Sequence, residues 1–173
     1  MISMFRKIHS LYDYEFIHHL LFLTRQKNAA MAELCTYLNF NGNTEEAFNF
    51  YRSVFGGEFT SFIRFKDVPG IENIPDEAMD KILHVALPIG KSNIIMATDT
   101  LESLGQKLEP GNNYHISIAA ESDEEARRLF DALSQGGLIT MPFDKTSWNA
   151  YFGIFNDEFG VQWMVNYVYN NAT

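Results

Sequence analysis

The sequence predicts an α+β fold in which two copies of a βαβββ module form a curved, cup-like mixed sheet with the helices outside. Three observations support this prediction. Two similar helical segments lie 79 residues apart, since Glu45 aligns with Glu124. An apolar strand precedes each segment, and the chain closes on an aromatic hairpin. A repeated module accounts for all three.

The two helical segments show the repeat most clearly. Residues 44–57 read T-E-E-A-F-N-F-Y-R-S-V-F-G-G, and residues 123–136 read D-E-E-A-R-R-L-F-D-A-L-S-Q-G. Thr44 and Asp123 suit the N-cap, glutamates follow in the first turn, where the helix dipole favours them, and glycine ends each segment. The spacing of the apolar residues gives each helix one buried stripe.

Predicted strands flank both helices. Leu34 to Phe40 precedes the first helix, and Tyr114 to Ala119 precedes the second. The closing hairpin joins the aromatic strand Tyr151 to Phe155 to a last strand, Val161 to Tyr169, through the turn N-D-E-F-G. Each helix therefore lies between a first strand and three later ones.

The repeat also sets the domain organisation. It predicts one domain at residues 32–173, with module one at 32–100 and module two at 112–170, after an N-terminal extension at 1–31. The segment Lys66 to Asp80 contains prolines and a glycine and is predicted to be a long loop between strands two and three. Such a loop is either a lid over a pocket or an ordinary surface loop.

Composition excludes several kinds of partner. A net charge of −9 argues against nucleic-acid binding, which needs clustered Lys and Arg. The apolar run Ile17 to Leu23 is too short and too polar to span a membrane. The single Cys35 excludes an internal disulfide, which agrees with a reducing cytoplasm, and its predicted strand position suggests a small buried residue.

Four motifs, taken in order, resemble a known family. They are Y-L-x-F-x-G-N from Tyr37, E-A-x-x-F-Y-x-x-x-F-G-G from Glu46, H-x-A-L-x-I-G-x-S-x-I-I-M-A-T-D from His84 and F-G-V-x-W-M from Phe159. Together they resemble the PhnB-like branch of the vicinal oxygen chelate superfamily, which includes glyoxalases, bleomycin-resistance proteins and extradiol dioxygenases. The resemblance implies the two-module cup, and it covers nearly the whole chain after residue 31.

The resemblance also implies where a metal would bind. In catalytic members, His, Glu or Gln side chains from the first and last strands of the modules hold a divalent metal that chelates two neighbouring substrate oxygens. His115 occupies the position of one such ligand, and the 79-residue shift pairs it with Thr36, or with Tyr37 after a one-residue slip. Met164 and Met96 fill the other two positions. Because only His115 is a good ligand, we predict that the protein binds no metal.

Two histidines are the candidates for acid or base catalysis. His115 is the first, with His84 as its partner, because imidazole titrates near neutral pH. His84 and Asp99 are also the only obvious replacements for missing metal ligands, although His84 equally suits a buried strand position and Asp99 a turn. The predicted ligand pocket contains Thr36, Tyr37, Met96, Asp99, Trp148, Trp163 and Met164. Strand alternation makes Trp163 equally suited to packing beneath a helix.

No cofactor is predicted. The sequence contains no G-x-G-x-x-G or Walker loop, and no G-x-S-x-G motif for covalent hydrolysis. PhnB-like proteins have often carried the name of a demethylubiquinone methyltransferase, but no glycine-rich loop follows a strand here to hold S-adenosylmethionine.

The sequence therefore predicts a homodimeric, cytoplasmic protein of the glyoxalase/bleomycin-resistance type that binds a small molecule. A second copy would cover the edges and the apolar mouth of an open sheet. The alternative is a metal-dependent lyase or dioxygenase that acts on a substrate with neighbouring oxygens, which the fold alone favours.

Overall fold

The computed structural model of the chain describes residues 34–71 and 74–169. The N-terminal extension predicted at residues 1–31, with its His18-His19 pair, lies outside the described residues. Within the described residues, no helix is long and apolar enough to cross a membrane.

The described chain contains the predicted βαβββ unit twice, so the α+β prediction is confirmed. Module one consists of β1 (Thr36–Phe40), α1 (Thr44–Phe55), β2 (Ser61–Arg64), β3 (Ile82–Ile89) and β4 (Asn93–Asp99). Module two consists of β5 (Ile116–Ala119), α2 (Asp123–Leu133), β6 (Leu138–Lys145), β7 (Ala150–Asn156) and β8 (Gln162–Val168).

The two modules have the same sheet topology. Each forms a four-stranded mixed sheet, in the order β1-β4-β3-β2 for module one and β5-β8-β7-β6 for module two. In each sheet the first strand pairs in parallel with the last, and the other neighbours are antiparallel. Helix α1 packs against β3 and β4, and α2 packs against β7 and β8, so each helix covers one face of its own sheet.

The N-cap of each helix lies one residue before the predicted one, so Thr44 and Asp123 are the first helical residues. Asn43 is the N-cap of α1, and Ser122 is the N-cap of α2, where its side chain accepts a hydrogen bond from the backbone N–H of Glu125. At the start of α1, the side chain that accepts from the helix comes from a strand rather than from the N-cap residue. One carboxylate oxygen of Asp99, at the end of β4, accepts the backbone N–H and the hydroxyl of Thr44 at 3.1 and 2.6 Å.

The helix faces of both sheets share one hydrophobic core. Phe48 and Tyr51 of α1, Phe130 of α2 and Trp163 of β8 are all buried in it. Tyr51 and Trp163 contact edge to face, with ring centroids 5.7 Å apart. Apolar side chains from both modules are therefore buried against one another in one cluster.

The long loop after β2 packs on its own small core. Phe65, Ile74 and Ala78 are buried together with Leu101, which follows β4. An ion pair between Lys66 and Asp80 joins the two ends of the loop. These contacts anchor the loop against the end of the module-one sheet.

Candidate functional site

Each sheet has one face that its helix does not cover, which we call the open face. Successive side chains of a strand point to opposite faces of the sheet. The residues buried in the core therefore mark the helix face, and the residues between them lie on the open face. In β1, Leu38 and Phe40 belong to the core, which places Tyr37 and Asn39 on the open face. Because the helix faces of both sheets meet in one core, both open faces turn away from that core.

The open face of module one brings together three of the predicted site residues. Tyr37 on β1 pairs in register with Met96 on β4, and Met96 pairs with Ala86 on β3. His84 lies two residues before Ala86 and therefore shares this face. Its ring and that of Tyr37 are stacked, with centroids 5.9 Å apart and planes inclined by 29°.

A hydrogen bond joins Tyr37 and His84. The Tyr37 hydroxyl oxygen lies 3.4 Å from Nδ1 of His84. Burial lowers the pKa of His84 below its ordinary value, because desolvation disfavours the charged ring. The neutral imidazole predominates at neutral pH, and in the tautomer in which Nδ1 accepts from the phenol, Nε2 carries the proton and is a donor.

The polar pair lies beside an apolar, deformable side chain. Met96 is 7% exposed, whereas Tyr37 is 46% exposed, so the methionine lies deep in the face and the phenol near its rim. A thioether adapts its shape to an irregular neighbour. The three residues therefore place an imidazole and a phenol beside an apolar side chain.

The open face of module two contains the other group of predicted residues. Met164 on β8 pairs with Ser117 on β5 and with Ile154 on β7. His115 immediately precedes β5 and alternates onto the same face as Ser117. Trp148, in the turn between β6 and β7, is 59% exposed and contacts Phe152 edge to face.

His84 and His115 consequently lie on different sheets, and the fold does not bring them together as an acid–base pair. The side chain that His84 contacts on its own sheet is the phenol of Tyr37. The alternative of Tyr37 in place of Thr36 put that residue on the open face of β1, but no signal in the sequence paired it with His84.

The register corrects the pairing of Thr36 with His115. Thr36 alternates with Leu38 onto the helix face, so it does not share a face with His115, and the prediction was wrong by one residue. The core-facing positions Phe40 and Ala120 correspond in the two modules. Four positions separate Phe40 from Thr44, but only three separate Ala120 from Asp123, so the helix-based shift fails in the preceding strand.

Three further sequence interpretations need correction. Trp163 is 1% exposed and packs beneath α1, so it does not line an open face. Asp99 is buried on the helix face, where it accepts hydrogen bonds from Gly42, Thr44 and Ile82, so it has a structural role rather than a pocket role. Cys35 is exposed rather than buried.

The available side chains do not fit the metal that the resemblance implies. Across the described residues, no group of three or more His, Cys, Asp or Glu side chains is arranged to hold an ion. His84 and His115 stand on separate sheets, and the carboxylate of Asp99 is occupied by backbone and hydroxyl donors. A divalent metal needs several converging ligands, which neither open face supplies.

Known proteins resemble this chain across both modules. The family model described as the glyoxalase/bleomycin resistance protein/dioxygenase superfamily matches residues 36–165. Protein YjdN of Escherichia coli is 32% identical over 148 residues, which cover 81% of this chain and 98% of YjdN.

Solved structures agree with this similarity. Protein PA1353 from Pseudomonas aeruginosa is 39% identical, with a TM-score of 0.72, and the match covers 81% of this chain and 100% of that one. The PhnB protein from Bacillus cereus is 27% identical, with a TM-score of 0.64, and the match covers 79% and 100% of the two chains.

Proposed function

Because the chain belongs to the PhnB-like branch of the glyoxalase/bleomycin resistance protein/dioxygenase superfamily, we propose that it binds a small organic molecule on the open face of module one. Tyr37 and His84 supply the polar contacts in this proposal, and Met96 supplies the apolar floor. The function is binding of the bleomycin-resistance type, without a metal-dependent reaction.

The stacked and hydrogen-bonded pair of Tyr37 and His84 carries this proposal. A partly buried imidazole with a neighbouring phenol has a defined set of donors and acceptors, and small-molecule sites combine a few such groups with an apolar lining. Met96 lies in register beside Tyr37, so one ligand can contact both. No other open-face residue of the described chain forms a comparable contact with a histidine.

Methionine methyl groups provide the test. Protein labelled with ¹³C at the methionine methyls is screened against a library of small aromatic and oxygen-rich compounds by NMR, and Met96→Leu assigns the signal of interest. Binding at the proposed site shifts the Met96 methyl and leaves Met164, on the other sheet, unchanged. The proposal is wrong if the compounds that bind shift only Met164, or if no compound in the library binds.

We also propose that the protein is a homodimer in which a second copy covers the open face of module two. Strand β6 is an edge strand, and it exposes Leu138, Ile139 and Met141. Trp148 and Val168 are exposed nearby at 59% each. An uncovered edge strand with large apolar side chains favours pairing with another chain, and a second copy is the partner of matching surface.

Light scattering after size exclusion tests the dimer with a matched pair of substitutions. Met141→Lys places a charge on β6, whereas Asp131→Lys places the same charge on the exposed side of α2. The proposal predicts that wild type and Asp131→Lys elute as dimers and that Met141→Lys shifts toward the monomer. A monomeric wild type would refute it.

The proposal also includes a cytoplasmic location and no nucleic-acid partner, and the amino-acid composition supports both. A net charge of −9 disfavours association with phosphate backbones. The lone Cys35 allows no disulfide within the chain, which suits the reducing cytoplasm.

A further inference from the structure

The turn between β1 and α1 contains the one Asn-Gly dipeptide of the sequence, Asn41-Gly42. Asparagine followed by glycine is especially prone to deamidation, because glycine has no side chain to hinder attack of its backbone nitrogen on the asparagine amide carbon. Gly42 has a φ of +92°, a conformation that residues with a side chain rarely adopt. The turn therefore favours glycine at this position and retains the reactive dipeptide.

Deamidation of this dipeptide needs only water. The Gly42 nitrogen gives up its proton and bonds to Cγ of Asn41, while the Cγ–Nδ2 bond breaks and Nδ2 takes a proton and leaves as ammonia. The succinimide that results adds water at one of its two carbonyl carbons and opens to aspartate or isoaspartate. Asn41 and Gly42 are both exposed, so water reaches them.

Two carboxylates bind the two nitrogen atoms that take part in this reaction. The backbone N–H of Gly42, which carries the attacking nitrogen, donates to Oδ1 of Asp99 at 3.0 Å. Nδ2 of Asn41, the leaving group, donates to Oε1 of Glu102 at 2.9 Å. Asp99 is 3% exposed, whereas Glu102 lies at the surface. The contact with Asp99 is therefore the better shielded from solvent.

The Asp99 contact opposes the first step of the reaction. Deprotonation of the Gly42 nitrogen would remove this hydrogen bond and place a negative charge beside a buried carboxylate, which disfavours the anion. The carboxylate is itself fixed, because it accepts from the backbone N–H and hydroxyl of Thr44 and from the N–H of Ile82. The Gly42 nitrogen thus stays protonated and in place while the start of α1 remains packed on β4.

We infer that Asn41 is a deamidation site that Asp99 protects in the folded protein, so that the reaction follows local opening of the β1–α1 turn. Exposed segments open locally at a lower free energy than the whole domain. Neither product retains the Nδ2 donor to Glu102, and isoaspartate also adds a methylene to the main chain between β1 and α1. The modified turn is therefore less able to re-form its contacts. This inference does not depend on the proposed ligand or dimer.

The rates of Asn41 deamidation in the folded and unfolded full-length chain provide the first test. Samples are incubated at neutral pH in buffer and in concentrated guanidinium chloride, and tryptic peptides are followed by mass spectrometry. Asn39, Asn43 and Asn49 lie in the same tryptic peptide, residues 28–52, and serve as internal controls. We expect Asn41 to react at least about tenfold more slowly in the folded protein, because breaking one hydrogen bond to a charged group costs this factor or more. Equal rates would overturn the inference.

Matched substitutions separate the roles of the two carboxylates. Asp99→Ala removes the acceptor of Gly42 and should raise the rate at Asn41 at least about tenfold. Glu102→Gln alters the exposed contact and should change the rate by less than about twofold. Tyr51→Phe destabilises the core away from this turn and controls for a general loss of stability. An Asp99→Ala rate no higher than that of Tyr51→Phe refutes the protective role of Asp99.

Hydrogen exchange of the Gly42 amide in wild type needs no substitution, and it decides the question if Asp99→Ala does not fold. We expect this amide to exchange at least about tenfold more slowly than in the unfolded chain, although Gly42 is exposed. Low concentrations of denaturant should accelerate amide exchange and Asn41 deamidation in parallel. An unprotected Gly42 amide, or deamidation that does not follow its exchange, contradicts the inference.

Discussion

The Tyr51 hydroxyl donates a 2.7 Å hydrogen bond to the carboxylate of Asp157, which joins helix α1 of module one to the β7–β8 turn of module two. The same carboxylate oxygen accepts the indole N–H of Trp163 at 2.8 Å, and the other oxygen accepts the backbone N–H groups of Phe159 and Val161. All four donors compensate a buried negative charge. The contact therefore links the two modules through their shared core.

Removal of the Tyr51 hydroxyl should destabilise the whole domain. Tyr51→Phe leaves the buried carboxylate of Asp157 with one donor fewer, and loss of a hydrogen bond to a charged group costs about 1.5–3 kcal/mol. Urea denaturation measures the free energy of unfolding. Tyr114→Phe, at an exposed tyrosine, should change it by less than about 0.5 kcal/mol. Equal stability of wild type and Tyr51→Phe would show that the link is weak.

Alkaline pH should destabilise the protein through the same residue. Burial, followed by the negative charge of Asp157, raises the pKa of Tyr51 far above its ordinary value. The folded state therefore keeps the phenol protonated, and its contribution to stability is complete below about pH 10, where free tyrosine titrates. Above that pH only the unfolded chain ionises Tyr51, so stability falls as pH rises.

Denaturation curves at pH 9 and at higher pH give the measurement for this effect. Tyr51→Phe should lose less stability between those conditions than wild type, because it has no phenol at this position. The prediction fails if the two proteins lose the same amount, since the other tyrosines are present in both.

Substitution of Asp99 separates its structural role from the predicted pocket role. Asp99→Ala leaves the N–H groups of Gly42, Thr44 and Ile82 without their acceptor, which should cost at least about 3 kcal/mol. Asp99→Asn keeps an acceptor for the α1 terminus but turns a donor toward the N–H of Ile82. The decrease in the free energy of unfolding should therefore be smaller than for Asp99→Ala, about 1–3 kcal/mol. Thermal denaturation ranks the variants, with Asp131→Ala as an exposed control. A stable Asp99→Ala protein would contradict this role.

The fold could be predicted because its signals are local. Helix periodicity, first-turn glutamates and the closing hairpin are each readable within about 15 residues, and the repeat supplied the order of the modules. The repeat failed where one connection differs in length. Ala120 to Asp123 is one position shorter than Phe40 to Thr44, and a shift of one residue moves a strand side chain to the opposite face. Thr36 was therefore placed on the wrong face.

The site could be predicted only in part, because tertiary contacts decide which polar residue is structural. Asp99 and His84 both looked like possible ligands or ordinary strand residues. Asp99 caps a helix that is distant in sequence, and His84 meets Tyr37, which lies 47 positions earlier. Neither partnership follows from local spacing. The same is true of Trp163. Strand alternation was compatible with either face of the sheet, and only its contact with Phe55 of α1 places it in the core.

Titration of His84 should reveal its lowered pKa directly. NMR spectra of protein with ¹³C-labelled histidine, recorded over a range of pH, give the titration midpoint of the His84 ring. Comparison with His84→Gln assigns its signal. We expect it below the ordinary value of about 6.5, because burial disfavours the imidazolium. Above about pH 6.5 both folded and unfolded His84 are neutral, and as the pH falls below it the unfolded chain binds the proton first, so stability declines. A midpoint at or above 6.5 would contradict the lowering of this pKa by burial.

Metal binding should be absent from the open faces, because neither supplies a set of converging ligands. Elemental analysis of purified protein should find no stoichiometric Mn, Fe, Ni or Zn, and titration with Zn²⁺ should show no tight site. His18 and His19, in the N-terminal segment, are a separate source of weak binding, so a variant with both changed to Ala controls for them. His115→Ala should leave the titration unchanged, since one imidazole alone holds a divalent ion poorly in water. One mole of metal per chain that is lost in His115→Ala would restore the metal-dependent reading and overturn the proposed binding function.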